Sequence, residues 1–182
     1  ERAHWSYLDD LRSALPSLPD LSFQTFAKVV FGLVPVLSPL EHDVDVVLRH
    51  FRRVKAGTRA CGAIILNAKL DKCLLVRGCN TTRASFGWPK GKVEGSESDA
   101  ACAIREVFEE IGLNITKRLR SSQAIALAIR QHDSNGIKTA NMLRLFIIPG
   151  IPESWHFRAR TQGEISAIEW FPLSKLPSGT SV

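Results

Sequence analysis

The spacing of apolar residues changes character once along this chain, near residue 57, from a helical period to strand-like runs. Before that point Trp5, Leu8 and Leu11 fall on one helix face, in a run already under way at Glu1. The turn-rich stretch from Pro16 to Asp20 interrupts it. Ser22 can cap a second helix whose apolar stripe is Phe23, Phe26, Val29, Val30 and Leu33, stopped near Pro35. A third run starts at about Glu41, with Val44, Val47, Leu48 and Phe51 as its buried side. It ends among Arg49, Arg52, Arg53 and Lys55, cations that complement a helix C-terminus.

Beyond Gly57 short apolar runs take over. Ala60 to Leu66 and Cys73 to Val76, joined by the polar Asn67 to Lys72, read as a hairpin. Ser122 to Arg130 and Met142 to Ile148 are two more strands, separated by a turn at His132, Asp133, Ser134, Asn135 and Gly136. Pro149 opens a loop to about Gln162, and Ile165 to Phe171 reads as a last strand in which Glu169, before Trp170 and Phe171, suits an ordinary strand residue. Strands flanking one helix in mixed order predict an α+β domain preceded by a small all-helical one. The expected division is residues 1–55 helical, 56–59 hinge and 60–182 catalytic.

The helix inside the second half carries the chemistry. Ser96, Glu97, Ser98 and Asp99 supply capping and first-turn acidic residues, Ala100 to Ile104 continue in helix-compatible fashion, and Gly112 ends the helix after Ile111. Glu106, Glu109 and Glu110 stand at i, i+3 and i+4, so three carboxylates leave one face within a turn, beside a single fixed cation, Arg105. Such like charges repel by about 0.2–0.5 kcal/mol per pair on an ordinary helix surface. A solvated acidic face is the plain reading of three such residues. A hard divalent cation, Mg²⁺ or Mn²⁺, is the neutraliser that also does chemistry, since it can activate water and offset charge on a diphosphate leaving group.

Composition narrows the setting. With 182 residues and 45% hydrophobic content the chain can bury a real core. Cys61, Cys73, Cys79 and Cys102 show no C-x-x-C pairing, and the five histidines make no H-x-x-x-H, so a zinc site is not expected. No run approaches 18 uninterrupted apolar residues and no signal peptide is visible, which predicts no membrane partner and a reducing, cytosolic or nuclear setting. The net charge is +6; residues 114–182 hold 9 Lys+Arg against 4 Asp+Glu and so carry +5 of it. A basic surface beside an acidic metal site suits a polyanion longer than one nucleotide.

Gly91, Glu97, Arg105, Glu106, Val107, Glu109, Glu110, Gly112 and Leu113 together fill nine defined positions of a 23-residue frame that resembles the Nudix box. Its lead-in, Phe86, Gly87, Trp88, Pro89, Lys90, Gly91 and Lys92, is similar to the W-G-F-P-K-G-K of mRNA-decapping enzymes with the aromatic positions exchanged; a related P-K-G occurs in diadenosine tetraphosphate hydrolases. Three more stretches resemble the decapping family. These are His4 to Asp9, resembling H-W-x-Y-x-D of its helical domain; Gly62 to Asn67, resembling its first catalytic strand; and Leu143 to Pro152 followed by Glu164, Ile165, Ile168, Glu169, Trp170 and Phe171. On these residues the chain resembles the Nudix catalytic subunit of the mRNA-decapping complex.

The resemblance implies a Nudix domain, a mixed β-sheet sandwiched by helices, behind a helical regulatory domain that is here incomplete at its N-terminus. It implies hydrolysis of the 5′ cap of mRNA to m⁷GDP and 5′-monophosphate RNA, as a step of mRNA decay. Glu106, Glu109, Glu110 and Glu164 would ligate Mg²⁺ or Mn²⁺, with Glu110 and Glu164 as the catalytic carboxylates and a backbone carbonyl near Lys90 completing the shell. Gly91, Glu97, Arg105 and Gly112 would support the site, and Lys90 and Lys92 would face phosphates or RNA. Capped mRNA and an activator subunit docked through the helical domain are the implied partners, the latter weakened by the missing N-terminal helix; the implied location is cytoplasmic, in processing bodies, or nuclear. Between Pro35 and Pro39, where some relatives place an aromatic able to stack on the cap base, the chain has Val36, Leu37 and Ser38. Stacking of this kind contributes about 1–3 kcal/mol per base, so Trp88 or Phe86 would have to supply it. Two other readings stay open: a diadenosine or diphosphoinositol polyphosphate hydrolase, and a catalytically silent RNA- or protein-binding Nudix module.

Overall fold

The computed structural model describes residues 2–79, 85–132, 138–161 and 163–177. The chain divides into two compact units, 1–57 and 58–182. Of the turn expected from His132 to Gly136, residues 133–136 lie outside the described residues, and His132 is instead the last residue of a strand, paired with Lys138.

In the first unit α1 (Arg2–Ser6) runs through a π-helical turn, Tyr7–Leu11, into the short α2 (Arg12–Ala14). A π turn shifts the residues downstream of it around the helix axis. The expected face of Trp5, Leu8 and Leu11 therefore does not form: Leu11 is 51% exposed and His4 is the buried residue. His4 stays inside because its Nε2 pairs with the Leu21 carbonyl at 2.7 Å and its ring packs 5.1 Å from that of Phe26. Tyr7 packs on the same ring and donates its hydroxyl to the Pro19 carbonyl at 2.6 Å.

Ser22 caps α3 (Phe23–Leu33), accepting from the Thr25 amide. The stripe predicted for this helix is rotated. Ala27 is its buried centre, packed with Phe23 and Phe31 against Val44 and Leu48, while Val29 and Leu33 face solvent. Helix α4 (Val44–Gly57) begins later than expected, because Ser38–Asp43 forms a 3₁₀ turn with Pro39 near its start. Phe51 is half-exposed but keeps its ring 6.3 Å from that of Phe23.

The second unit is a six-stranded mixed sheet. Strands β1 (Ala60–Asn67), β2 (Lys72–Gly78), β4 (Ala124–His132), β5 (Lys138–Ile151) and β6 (Ile165–Pro172) run in the order β4-β5-β1-β2-β6, and the short β3 (Lys90–Lys92) pairs with β1. Only β1 and β5 are parallel, in a register that sets Gly62 opposite Leu145 and Ile64 opposite Ile147; the other pairings are antiparallel. Three features differ from the sequence expectation, the first being that β4 reaches His132 and β5 already starts at Lys138, where Arg130 and Met142 are the expected limits. Strand β5 does not stop at Ile148 but continues through Pro149 and Gly150, the latter at φ +77°, to Ile151. And Lys90, Gly91 and Lys92, expected only as lead-in to the helix, form a strand against Gly62, Cys61 and Ala60.

Because strand side chains alternate, one sheet face presents Cys61, Ala63, Ile65, Leu74, Phe146 and Ile148 together. Helix α5 (Asp99–Ile111) lays Cys102, Ala103, Val107 and Ile111 onto it, all fully buried. The opposite face gathers Ala60, Leu143 and Leu145 with Ile64 and Trp88. All four cysteines are free, and Cys61, Cys73 and Cys102 are buried; burial pushes the Cys61 thiol up to about 11, so it stays protonated. Among the described residues no helix is long and apolar enough to cross a membrane.

Gly62 is where β3 closes on β1: a Cβ there would collide with the Pro89 carbonyl and with Lys90. Gly62→Ala is therefore expected to destabilise the unit by about 1–3 kcal/mol through overpacking, whereas Gly87→Ala, with open space around it, should change stability by less than about 1 kcal/mol. Urea unfolding midpoints of the two variants check this.

Candidate active site

The site is built on α5. Ser98 caps its N-terminus by accepting from the Ala101 amide, and Gly112, at φ +73°, takes the left-handed conformation that ends it. Asp99 in the first turn ties the helix to the sheet, pairing with Arg59 at 2.8 Å and with Arg144 of β5 at 3.3 Å.

Arg105 braces the carboxylates. Its guanidinium donates to Glu97 at 2.6 Å, to Glu106 at 2.7 Å, to the Lys92 carbonyl at 3.1 Å and, at 3.5 Å, to Glu109. Glu97 also accepts from the Glu94 amide at 2.7 Å, which folds the loop before the helix. The Arg105 bonds, followed by the Glu94 amide, hold Glu97 below the usual carboxylate range, and pairing with Glu97 raises Arg105. Gly91 is required by contact: a Cβ there would occupy the position of the Glu106 carboxyl.

Two carboxyls of the acidic face are driven the other way. Burial raises Glu106 against the lowering effect of Arg105, and Glu109 and Glu164 add like charge. Burial pushes Glu110 up to about 8, although the Lys90 amide donates to it at 3.0 Å, with Glu106 and Glu164 again contributing. Glu164 thus reaches the same electrostatic neighbourhood from the turn before β6, where the Thr161 hydroxyl donates to it at 2.8 Å.

The structure brings Glu106, Glu109, Glu110 and Glu164 to one side of α5, and Gly91, Glu97, Arg105 and Gly112 support them as described. The carboxylates do not converge on one point: among the described residues no three form a cluster tight enough to hold an ion. The donors still fit a hard divalent cation, being all carboxylate oxygens, with two members desolvated and raised by mutual repulsion, a penalty a bound cation reverses. Contact between Glu110 and Lys90 runs through the Lys90 amide. Lys90 itself is exposed with its charge near Glu110, while Lys92 turns its ammonium to the Thr58 carbonyl at 2.6 Å. The two candidate stacking aromatics are engaged in packing: Phe86 lies 4.7 Å from the Phe171 ring and under Arg77, and Trp88 joins the cluster around Leu143 and Leu145.

The sequence places Thr161 and the segment before it only in a loop, with no sign of a role at the site. The Arg158 amide donates to the Ile111 carbonyl at 3.1 Å, and the Arg160 amide to the Glu109 carbonyl at 2.7 Å, so this segment caps α5 and leads to Glu164. Contacts between residues nearly fifty apart leave no local sequence signal.

Sheet, braced acidic helix and the glycine turns at its two ends define the class: an α+β domain organised around a carboxylate-bearing loop-helix-loop segment. The chain belongs to the Nudix family, matching the NUDIX domain over residues 57–181, and residues 1–54 match the Dcp2, box A domain. It is 38% identical over 98% of its length to the mRNA decapping complex subunit 2 of Schizosaccharomyces pombe. It is 36% identical over 97% to the mRNA-decapping enzyme subunit 2 of Arabidopsis thaliana, and 34% identical over 97% to the m7GpppN-mRNA hydrolase of Saccharomyces cerevisiae. The chain spans 23%, 44% and 17% of those relatives' lengths. Among solved structures, a MutT NUDIX hydrolase from Burkholderia pseudomallei superposes with a TM-score of 0.50 at 24% identity, covering 66% of this chain and 87% of that one, which bears on fold alone. Nudix hydrolases generally need a divalent metal.

Without metal, folded Glu110 keeps its proton up to about 8, whereas the unfolded chain releases it near the ordinary 4.5. Between those values the folded state binds the extra proton, so stability falls as pH rises, by up to about 1.4 kcal/mol per pH unit. Thermal unfolding in EDTA from pH 5 to 8 should show this fall in the wild type and a shallower one in Glu110→Gln; parallel curves would contradict it.

Proposed function

We propose that this chain hydrolyses the 5′ cap of messenger RNA, m⁷GpppN-RNA plus water giving m⁷GDP and 5′-monophosphate RNA. The observation that carries it is the coexistence in one chain of the four-carboxylate Nudix site and the box A region, both inside the 97–98% of this chain that decapping relatives match.

Glu106, Glu109, Glu110 and Glu164 are the residues to hold Mg²⁺ or Mn²⁺, which when bound would supply an activated water and charge compensation for the leaving diphosphate. Glu110 is the proton acceptor of this reading. Its high proton affinity in the desolvated pocket suits it to take the proton of the attacking water once nearby positive charge has released its own. Arg105 and Glu97 keep the helix face fixed through that change, because their bonds reach Lys92 and Glu94 as well as the reacting carboxylates. Glu164, held by Thr161, completes the acidic set from the turn before β6. The exposed Lys90 stands where a phosphate would approach Glu110. The same reading gives the helical unit the docking of an activator subunit, and places the protein in the cytoplasm, in processing bodies, with a nuclear pool.

Incubation with cap-labelled RNA and Mn²⁺ should release m⁷GDP, stopped by EDTA; release of m⁷GMP would mean a different scission and defeat the proposal. Glu110→Gln should lower turnover by about 10²–10⁴-fold, the usual contribution of a general base, with RNA binding near that of wild type. Full activity in that variant would remove Glu110 from the role.

A further inference from the structure

Thr58 and Arg59 are the first two residues of the second unit, directly after Gly57 ends α4 and the helical unit with it. Both reach the segment that leads into α5. The Lys92 ammonium donates to the Thr58 carbonyl at 2.6 Å, the Val93 amide donates to the Arg59 carbonyl at 3.1 Å, and the Arg59 guanidinium meets Asp99 at 2.8 Å. Both ends of the segment 92–99, which carries Glu97, are thus held by two consecutive residues.

Lys92 stands where two bonds meet. Its side chain reaches Thr58, and its own carbonyl accepts from Arg105 Nη2 at 3.1 Å. The same Nη2 donates to Glu97 at 2.6 Å, while Nη1 donates to Glu106 at 2.7 Å and, at 3.5 Å, to Glu109. A guanidinium is a rigid plane, so its donors move together. If the Lys92 carbonyl shifts, that plane turns and Nη1 leaves Glu106 and Glu109. Burial favours the bond to Thr58 as well: Lys92 is half-buried, where an ammonium needs a polar partner, whereas Lys90 is exposed.

We propose that Lys92 is a positioning residue. Its bond to Thr58 fixes the carbonyl that sets the plane of Arg105, and through Arg105 the pose of Glu106 and Glu109, so the geometry of the acidic face depends on how the chain enters the second unit. The effect on turnover rests on the cap-hydrolysis reading; the link between entry segment and brace does not. This role differs from the phosphate contact that the resemblance implies for Lys92, because a phosphate contact acts on RNA affinity and a positioning bond acts on turnover.

Two variants separate the roles: Lys92→Met removes the donors at nearly equal length, and Lys92→Arg keeps them. The β3–β1 pairing and the Val93 bond use backbone atoms alone, so both variants should fold. Lys92→Met should lower kcat for capped RNA by about 10–100-fold, the usual loss when a support of metal-ligating groups is removed. Its KM and its affinity for an uncapped RNA oligonucleotide should stay within about twofold of wild type, with the salt slope unchanged rather than shallower by about 0.7, the mark of one lost phosphate contact. Lys92→Arg should recover most of the lost turnover. In the metal-free protein, nitrogen–proton NMR should show the Arg105 guanidinium protons slowed in exchange in wild type and Lys92→Arg, and exchanging freely in Lys92→Met. The wild type should also show a coupling from the Lys92 ammonium nitrogen to the Thr58 carbonyl carbon; its absence would overturn the proposal even if Lys92→Met fails to fold. Wild-type turnover or unchanged Arg105 signals in Lys92→Met would overturn it too, as would weakened RNA affinity with kcat intact, which would return Lys92 to a phosphate contact. If the wild type releases no m⁷GDP from capped RNA yet its Arg105 signals depend on Lys92 as described, the function proposed above fails and the link stands.

Discussion

Four carboxylates cannot be held on one side of a partly buried helix unless something fixed offsets their repulsion, and Arg105 is that element. Its guanidinium serves Glu97, Glu106 and Glu109 while donating to the Lys92 carbonyl, so one side chain joins the loop before α5 to the acidic face. A planar five-donor group can meet that many acceptors at once; a lysine ammonium in the same place could not. What Arg105 leaves uncompensated is as informative as what it holds. Among the described residues Glu110 accepts a hydrogen bond from the Lys90 amide and feels the Lys90 charge, yet burial keeps it well above its ordinary range. The electrostatic imbalance is thereby concentrated on the group best placed to exchange a proton.

The rest of the second unit serves to keep α5 where this balance works. Its apolar stripe of Cys102, Ala103, Val107 and Ile111 is buried on the sheet, Asp99 ties its start to Arg59 and Arg144, and the Arg158 to Thr161 segment binds its end. Gly91 and Gly62 make the close approaches that bring β3, and with it the Lys90 amide, to Glu110. Packing and electrostatics act on the same few residues, which is why small residues are required where the backbone meets the carboxyls.

The helical unit follows a different economy of contacts. Its core is small, with Ala27, Val44 and Leu48 surrounded by aromatic rings, and much of its apolar surface is exposed at Leu33, Val36 and Val54. His4, buried with a carbonyl partner and two ring contacts, ties its N-terminal end to Leu21, Phe23 and Phe26, whereas Leu11 and Leu15 are exposed.

By itself the sequence determined the change from helices to strands near residue 57, the span and both ends of α5, and the carboxylate face. Each of these depends on local spacing: Ser98 and Gly112 act within a turn of their own positions, and i, i+3, i+4 geometry needs nothing beyond the helix. Where a neighbour in space intervened, sequence reading fell short. The rotated stripe of α3, the burial of His4 against the Leu21 carbonyl and the Phe26 ring while Leu11 is exposed, and the extension of β5 through Gly150 answer to partners elsewhere in the chain. The tertiary structure alone decided that Glu110 would be desolvated, that Thr161 would hold Glu164, and that the Arg158 and Arg160 amides would bond to the end of α5. Burial and charge proximity depend on distance in space, and residues far apart in a chain carry no local record of it.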